Sequence, residues 1–179
     1  MAHLIQGRLV FLRPMEAADA PLYQQWRADA DVALLAGFSE PLSLAAVERR
    51  VGDRSPDDTH AYLICLLNDG RPIGEAALFE HDRINGSAEL GIFIGERSEW
   101  GKGYGTDAVE AIVAFGFEAQ RLERVWLNVW TENPRAQRAY EKAGFVHEGT
   151  LRHDRWERGQ YTDGHVMSIL RDEWLGRRS

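Results

Sequence analysis

The sequence predicts an α/β (α+β) fold: one mixed, mostly antiparallel twisted sheet of about seven strands, flanked by about four helices. Three observations carry this expectation. Apolar runs are joined by short turn signals, Asn68-Asp69-Gly70, Asn85-Gly86 and Arg158-Gly159, as hairpin-linked strands are. Helical patterns with start and stop residues separate the other runs. A glycine-rich stretch, "WGKGYGTDA" (100–108), follows one strand and leads into a helix. At 179 residues the chain suits one domain, 1–179, long enough to bury a real core.

In chain order, "GRLVFLRP" (7–14) is the first strand, ended by Pro14. "EAADAPLYQQWRADADVALLAG" (16–37) is a helical pattern with Leu22, Tyr23 and Trp26 on one face, ending near Gly37. "SLAAVERRV" (43–51) is a second, short helix with Ser43 as its N-cap. "HAYLICLLNDG" (60–70) and "RPIGEAALFEH" (71–81) are strands, and "SAELGIFIG" (87–95) is the fourth. Thr106 caps a helix over roughly 107–120. "RVWLNVW" (124–130) alternates Val125, Leu127 and Val129 on one face. Asn133, Pro134 and Gly144 stand at the N-cap, first and C′ positions of a helix that ends at Ala143. Two strands, "FVHEGTLRHDRW" and "QYTDGHVMSIL", close the chain.

Composition narrows the function. The net charge of −7, from 21 Lys+Arg against 28 Asp+Glu, disfavours non-specific nucleic-acid binding; solubility is its simplest meaning. No apolar run approaches the length of a membrane span, and the N-terminus lacks the regions of a secretory signal, so a cytoplasmic protein is expected. Cys65, the single cysteine, lies in the apolar run "AYLICLL" and reads as a buried, inert thiol. The six histidines include no pair at zinc-ligand spacing, and no metal is expected.

A bare-backbone loop entering a helix is a ready anion site, because unpaired amides and the helix dipole both favour negative charge. A Walker A loop fails, since Gly103 follows Gly101-Lys102 and Glu96 stands where its first glycine belongs. A Rossmann fingerprint is weak: the spacing is G-x-G-x-G and the preceding strands are hairpin-linked. The remaining option is the pyrophosphate of coenzyme A. There, Glu89–Phe145 resembles the acetyl-CoA-binding core of the GNAT acetyltransferases. Gly103 and Gly105 are the G-x-G pair, and "NPRAQRAYEKAGF" (133–145) matches N-x-x-A-x-x-x-Y-x-x-x-G-F. "GRLVFLRP", "AELGIFI" and "EGTLR…G…YTDGHVMSIL" resemble the RimJ/RimL-type and spermidine-acetylating branch, so the likeness runs over roughly 7–171. One departure is Trp100, where the superfamily usually carries Gln or Arg; Arg97 or Lys102 is expected to offset it electrostatically.

The resemblance implies a sheet splayed between its fourth and fifth strands, with acetyl-CoA as cosubstrate. It implies a cofactor site drawn from Ile92, Phe93, Ile94, Arg97, Trp100, Gly101, Lys102, Gly103, Tyr104, Gly105, Thr106, Asn133, Ala136 and Tyr140. Backbone groups of Ile92, Phe93 and Ile94 meet the pantetheine arm, although their side chains are more simply core residues, and backbone amides beside Ile94 polarise the thioester carbonyl. Asn133 holds the cofactor arm, although N-capping alone explains it. Tyr140 protonates the leaving thiolate, although Ala136, Tyr140 and Gly144 share a helix face and packing also explains it. Glu89 is a general base or amine anchor, or else a surface residue beside the Asn85-Gly86 turn. Glu40, Glu75 and Asp82 are further candidates for an acceptor pocket.

The expected activity is direct acetyl transfer to a primary amine, with no acyl-enzyme. The acceptor must be neutral to attack: a lysine-like amine (pKa ~10.4) needs more help than an α-amine (~7.7–8.0). Protein N-termini, polyamines and amine antibiotics compete as acceptors. A non-catalytic CoA-binding regulator and a nucleotide-binding protein are the readings outside this class. Many proteins of this type form dimers, so a homodimer is a further expectation.

Overall fold

The computed structural model describes residues 5–52 and 60–178. β1 (Ile5–Gln6) and β2 (Val10–Pro14) form an opening hairpin. Its turn is fastened from far along the chain: the buried Asp107 carboxylate accepts the N–H groups of Arg8, Leu9 and Val10 at 2.9, 2.8 and 3.0 Å. That clip bends what the sequence presents as one strand from Gly7.

Three helices follow: α1 (Ala20–Ala28), α2 (Ala30–Ala36) and α3 (Leu44–Gly52). The helical pattern expected over 16–37 is therefore divided. Asp29 breaks it, with ψ at 122° and its carboxylate accepting the N–H groups of Asp31 and Val32 at 2.9 and 3.0 Å. A well-made N-cap overrides the apolar periodicity that runs through it. Ser43 caps α3 as expected, its hydroxyl accepting the Ala46 N–H at 3.3 Å.

β3 (His60–Leu66), β4 (Pro72–Asp82) and β5 (Ser87–Ile94) form an antiparallel meander. α4 (Tyr104–Glu118), β6 (Arg124–Trp130) and α5 (Pro134–Ala143) come next. The hairpin of β7 (Val146–Glu157) and β8 (Gln160–Leu170) precedes a short α6 (Arg171–Gly176). Gly103, at φ 89°, is the N-cap of α4, so Thr106 lies inside its first turn and does not cap it. The described residues thus hold eight strands where about seven were expected, and six helices where about four were expected. β1, the division at Asp29 and α6 make up the difference.

The strand order is β1-β2-β3-β4-β5-β6-β8-β7, antiparallel at every seam except β5–β6. Helices cover both faces. On one side Leu78, Val125 and Leu127 pack with Ile112 and Phe117 of α4 and with Ala143 of α5. On the other, Leu63 and Cys65 pack with Tyr23, Trp26, Val32 and Val47 from α1–α3. This is why β3 reads as a continuous apolar run: Leu63 and Cys65 face one layer, Ile64 and Leu66 the other.

Candidate active site

β5 and β6 run parallel but pair only through Ser87–Glu89 against Arg124–Trp126. Beyond Glu89 they separate, at the seam where the splay was expected. The β6-facing edge of β5 has no strand partner from Leu90 to Ile94. Such an edge leaves backbone donors and acceptors available, and these groups rarely stay unmatched when covered. An opening of about 260 Å³ runs along this gap from Gly101 and Gly103, past Ile92–Ile94, to Asn133 and Tyr140. Ile92 and Ile94 pack against the α4 side of the core. Phe93 enters the opposite layer, with ring centroids 5.9, 6.1 and 5.1 Å from Tyr23, Trp26 and Phe38.

The glycine loop connects β5 to α4. Gly101 and Gly103 have φ of 79° and 89°, a region that favours glycine. A Cβ at Gly101 would meet nothing within 4 Å, and one at Gly105 would meet only Ile94, at an ordinary 3.8 Å. Gly105 has no positive φ either, although alanine there would favour the helix by roughly 1 kcal/mol. Nothing inside the chain requires that bare position, which lines the opening together with Tyr104 and Thr106.

Trp100 folds onto the end of β5, its Nε1–H donating to the Ile94 carbonyl at 2.8 Å. The two cations expected to offset it are held by carboxylates. Arg97 lies 2.7 Å from Asp31, and Lys102 lies 2.9 Å from the buried Glu99, which also takes Arg71 at 2.8 Å. Three cations not singled out in the sequence border the opening instead: Arg135, Arg138 and Lys142. Their spacing of three and four residues places them on one face of α5, a signal present in "NPRAQRAYEKAGF".

α5 supplies the other wall. Asn133 caps it, Oδ1 accepting the Ala136 N–H at 3.1 Å, while its Nδ2 has no hydrogen-bond partner among the described residues. Tyr140 is 8% exposed, with its ring 5.8 Å from that of Phe145. Burial pushes its phenol well above the usual value, so it stays protonated across the neutral range.

A second opening, of about 560 Å³, meets the first along Ile92, Asn133, Ala136 and Tyr140. Glu89, Phe79, Trp130, Asp154 and Trp156 line it. Glu89 occupies the last paired position of the β5–β6 seam. Its carboxyl is pushed up to about 7, first by burial and then by the neighbouring charge of Glu80. Asp154, not singled out in the sequence, accepts from Asn128 Nδ2 at 2.6 Å. Glu40, Glu75 and Asp82 border neither opening. Asp82 instead accepts the N–H groups of Ile84 and Asn85 in the β4–β5 turn. Glu75 accepts from the Tyr23 hydroxyl at 3.5 Å. Cys65 is fully buried and its thiol is pushed up by that burial, as suits a packing residue.

Comparison with known families decides what this architecture is. The profile of the acetyltransferase (GNAT) domain matches residues 9–146. The chain belongs to the GNAT acetyltransferase family. Among its GNAT relatives, the spermidine N(1)-acetyltransferase of Escherichia coli (strain K12) is 30% identical over 166 residues, covering 93% of this chain and 88% of its own. The putative ribosomal N-acetyltransferase YdaF of Bacillus subtilis (strain 168) is 33% identical over 113 residues, 63% of this chain and 61% of its own. The solved structure of spermidine N-acetyltransferase from Vibrio cholerae in complex with CoA and spermine superposes with a TM-score of 0.86 at 27% identity. That match covers 93% of this chain and 98% of the other. The GNAT chain is accordingly an acetyl-CoA-dependent N-acetyltransferase. Among the described residues, no helix is long and apolar enough to cross a membrane.

Proposed function

We propose that this GNAT enzyme passes an acetyl group directly from acetyl-CoA to a primary amine of a polyamine, the two substrates entering from the two openings. The observation that carries the reading is that these openings meet at Tyr140, with Glu89 lining the second. Acetyl-CoA supplies an activated acetyl thioester. The chain offers it a bare loop at Gly101, Gly103 and Gly105, the unpaired edge of β5, and the free Nδ2 of Asn133. Glu89 takes a proton from the amine, freeing its lone pair; a base of pKa about 7 suits that role at neutral pH. Tyr140 holds the proton that the departing sulfur needs. The second opening joins the carboxylates of Glu89 and Asp154 to the rings of Trp130 and Trp156, with Arg155 stationed 3.9 Å from the Trp130 centroid; two carboxylates and an aromatic wall suit a cationic, partly aliphatic acceptor.

A protein N-terminal α-amine is the second reading, favoured by the open access to that lining and by the likeness to YdaF. A single domain over 1–179, a cytoplasmic setting and a homodimer complete the proposal. Exposed Trp156 and Tyr161 on the closing hairpin suit contact with a second copy. The experiment is free-thiol release from acetyl-CoA over spermidine, spermine, aminoglycosides and short peptides with free N-termini. Release with polyamines alone supports the first choice, and release with peptides alone moves the acceptor to α-amines. Aminoglycoside-only release makes this an antibiotic acetyltransferase. Silence throughout, with acetyl-CoA still bound, points to a cofactor-sensing protein.

A further inference from the structure

The glycine loop's own cations are spoken for, since Arg97 meets Asp31 and Lys102 meets Glu99. Trp100, between them in sequence, has Arg97 at the far range of its ring, 5.8 Å from the centroid, and a second cation closer in. The guanidinium of Arg135 lies 4.5 Å from the indole ring centroid. Arg135 stands in the first turn of α5, is exposed, and has no carboxylate partner among the described residues. It borders the same opening as Gly101, Gly103 and Gly105. The indole is itself fixed, by its bond to the Ile94 carbonyl at 2.8 Å and by packing on the α1–α3 layer. A guanidinium held over an aromatic ring makes that contact without using up its N–H donors, so the contact restricts a long side chain and leaves the donors for a ligand. An arginine fixed in this way is suited to bidentate contact with phosphate.

We infer that Arg135 is a cofactor-binding residue that meets the anionic groups of acetyl-CoA, and that Trp100 is a positioning residue that holds it at the mouth of the opening. The inference rests on the reading that this opening takes acetyl-CoA. It makes the charge that recognises the cofactor a property of two elements, the loop and α5, joined through one aromatic ring. Arg138 and Lys142, farther along the same helix face, add to the field but have no such platform among the described residues.

The test is calorimetric binding of CoA to the whole chain at low and high salt, with thermal melts as a folding control. Arg135→Ala is expected to weaken binding about tenfold and to make it less salt-dependent. Trp100→Leu should weaken it similarly, and the double variant should be no weaker than Arg135→Ala alone, because both changes remove one contact. Trp100→Phe keeps a ring without the indole N–H and should retain most of the affinity. In steady state the loss should fall on KM for acetyl-CoA and leave kcat unchanged. Arg135→Ala binding as tightly as the wild type would overturn the inference. So would Trp100→Phe as weak as Trp100→Leu, which would assign the effect to the Ile94 hydrogen bond. Wild-type protein that does not bind CoA would instead overturn the reading of the opening itself.

Discussion

A carboxyl group pushed up to about 7 is a burden to the fold at the pH where it would work. Glu89 is such a group. Its pKa is raised above the unfolded value of 4.5, so its contribution to stability is fully present below 4.5 and is lost as pH rises through about 7. Glu89→Gln, neutral at every pH, should therefore melt higher than the wild type at pH 8, with the difference shrinking toward pH 5. The same substitution should remove the acidic limb near pH 7 from the kcat/KM profile, because the limb reports a base that must lose its proton. A limb that stays in place would take Glu89 out of the reaction. Tyr140 makes the opposite demand, since burial keeps its proton on. Tyr140→Phe should lower kcat by about 100-fold or more, with acetyl-CoA affinity within about twofold of wild type in calorimetry. Unaltered turnover would reduce Tyr140 to a packing residue.

Elements explain what was legible. Hairpin turns, the caps at Ser43 and Asn133 and the stop at Gly144 are local signals, and each shapes the structure where the sequence places it. The glycine loop is legible as a local pattern, whereas the seam of the splay and the roles expected of Asn133, Tyr140 and Glu89 come from the family resemblance that continuous motifs carry. The misses share a different cause. Asp107 acts on residues almost a hundred positions away, and no local pattern announces that. Asp154 reaches the second opening because β7 shifts register between Leu151 and Arg155, and periodicity does not locate a bulge. Arg135 matters only once α5 lies beside the loop. The start of α4 also separates two kinds of glycine. Gly105→Ala should fold as well as the wild type or melt slightly higher, yet bind acetyl-CoA more weakly, because only an incoming ligand needs that space. Gly103→Val should lose both affinity and stability, because φ is 89° there. Full affinity in Gly105→Ala would mean that no ligand approaches the start of α4.

Across the whole molecule, the sheet is continuous at its core and incomplete at one seam. A core on the α4 side runs from β2 to β8 and holds β5 and β6 in place although only Ser87–Glu89 bind them directly. The gap is therefore a missing rung between two strands whose positions the surrounding core fixes. Amide exchange offers a direct view of it. In the free protein, the β6-facing amides between Leu90 and Ile94 should trade hydrogen for deuterium far faster than those of the fully paired β4. Saturating acetyl-CoA should slow them to the pace of their neighbours, with little change elsewhere in the sheet. The cosubstrate would then serve as a temporary strand, and the protection it confers would trace its path residue by residue.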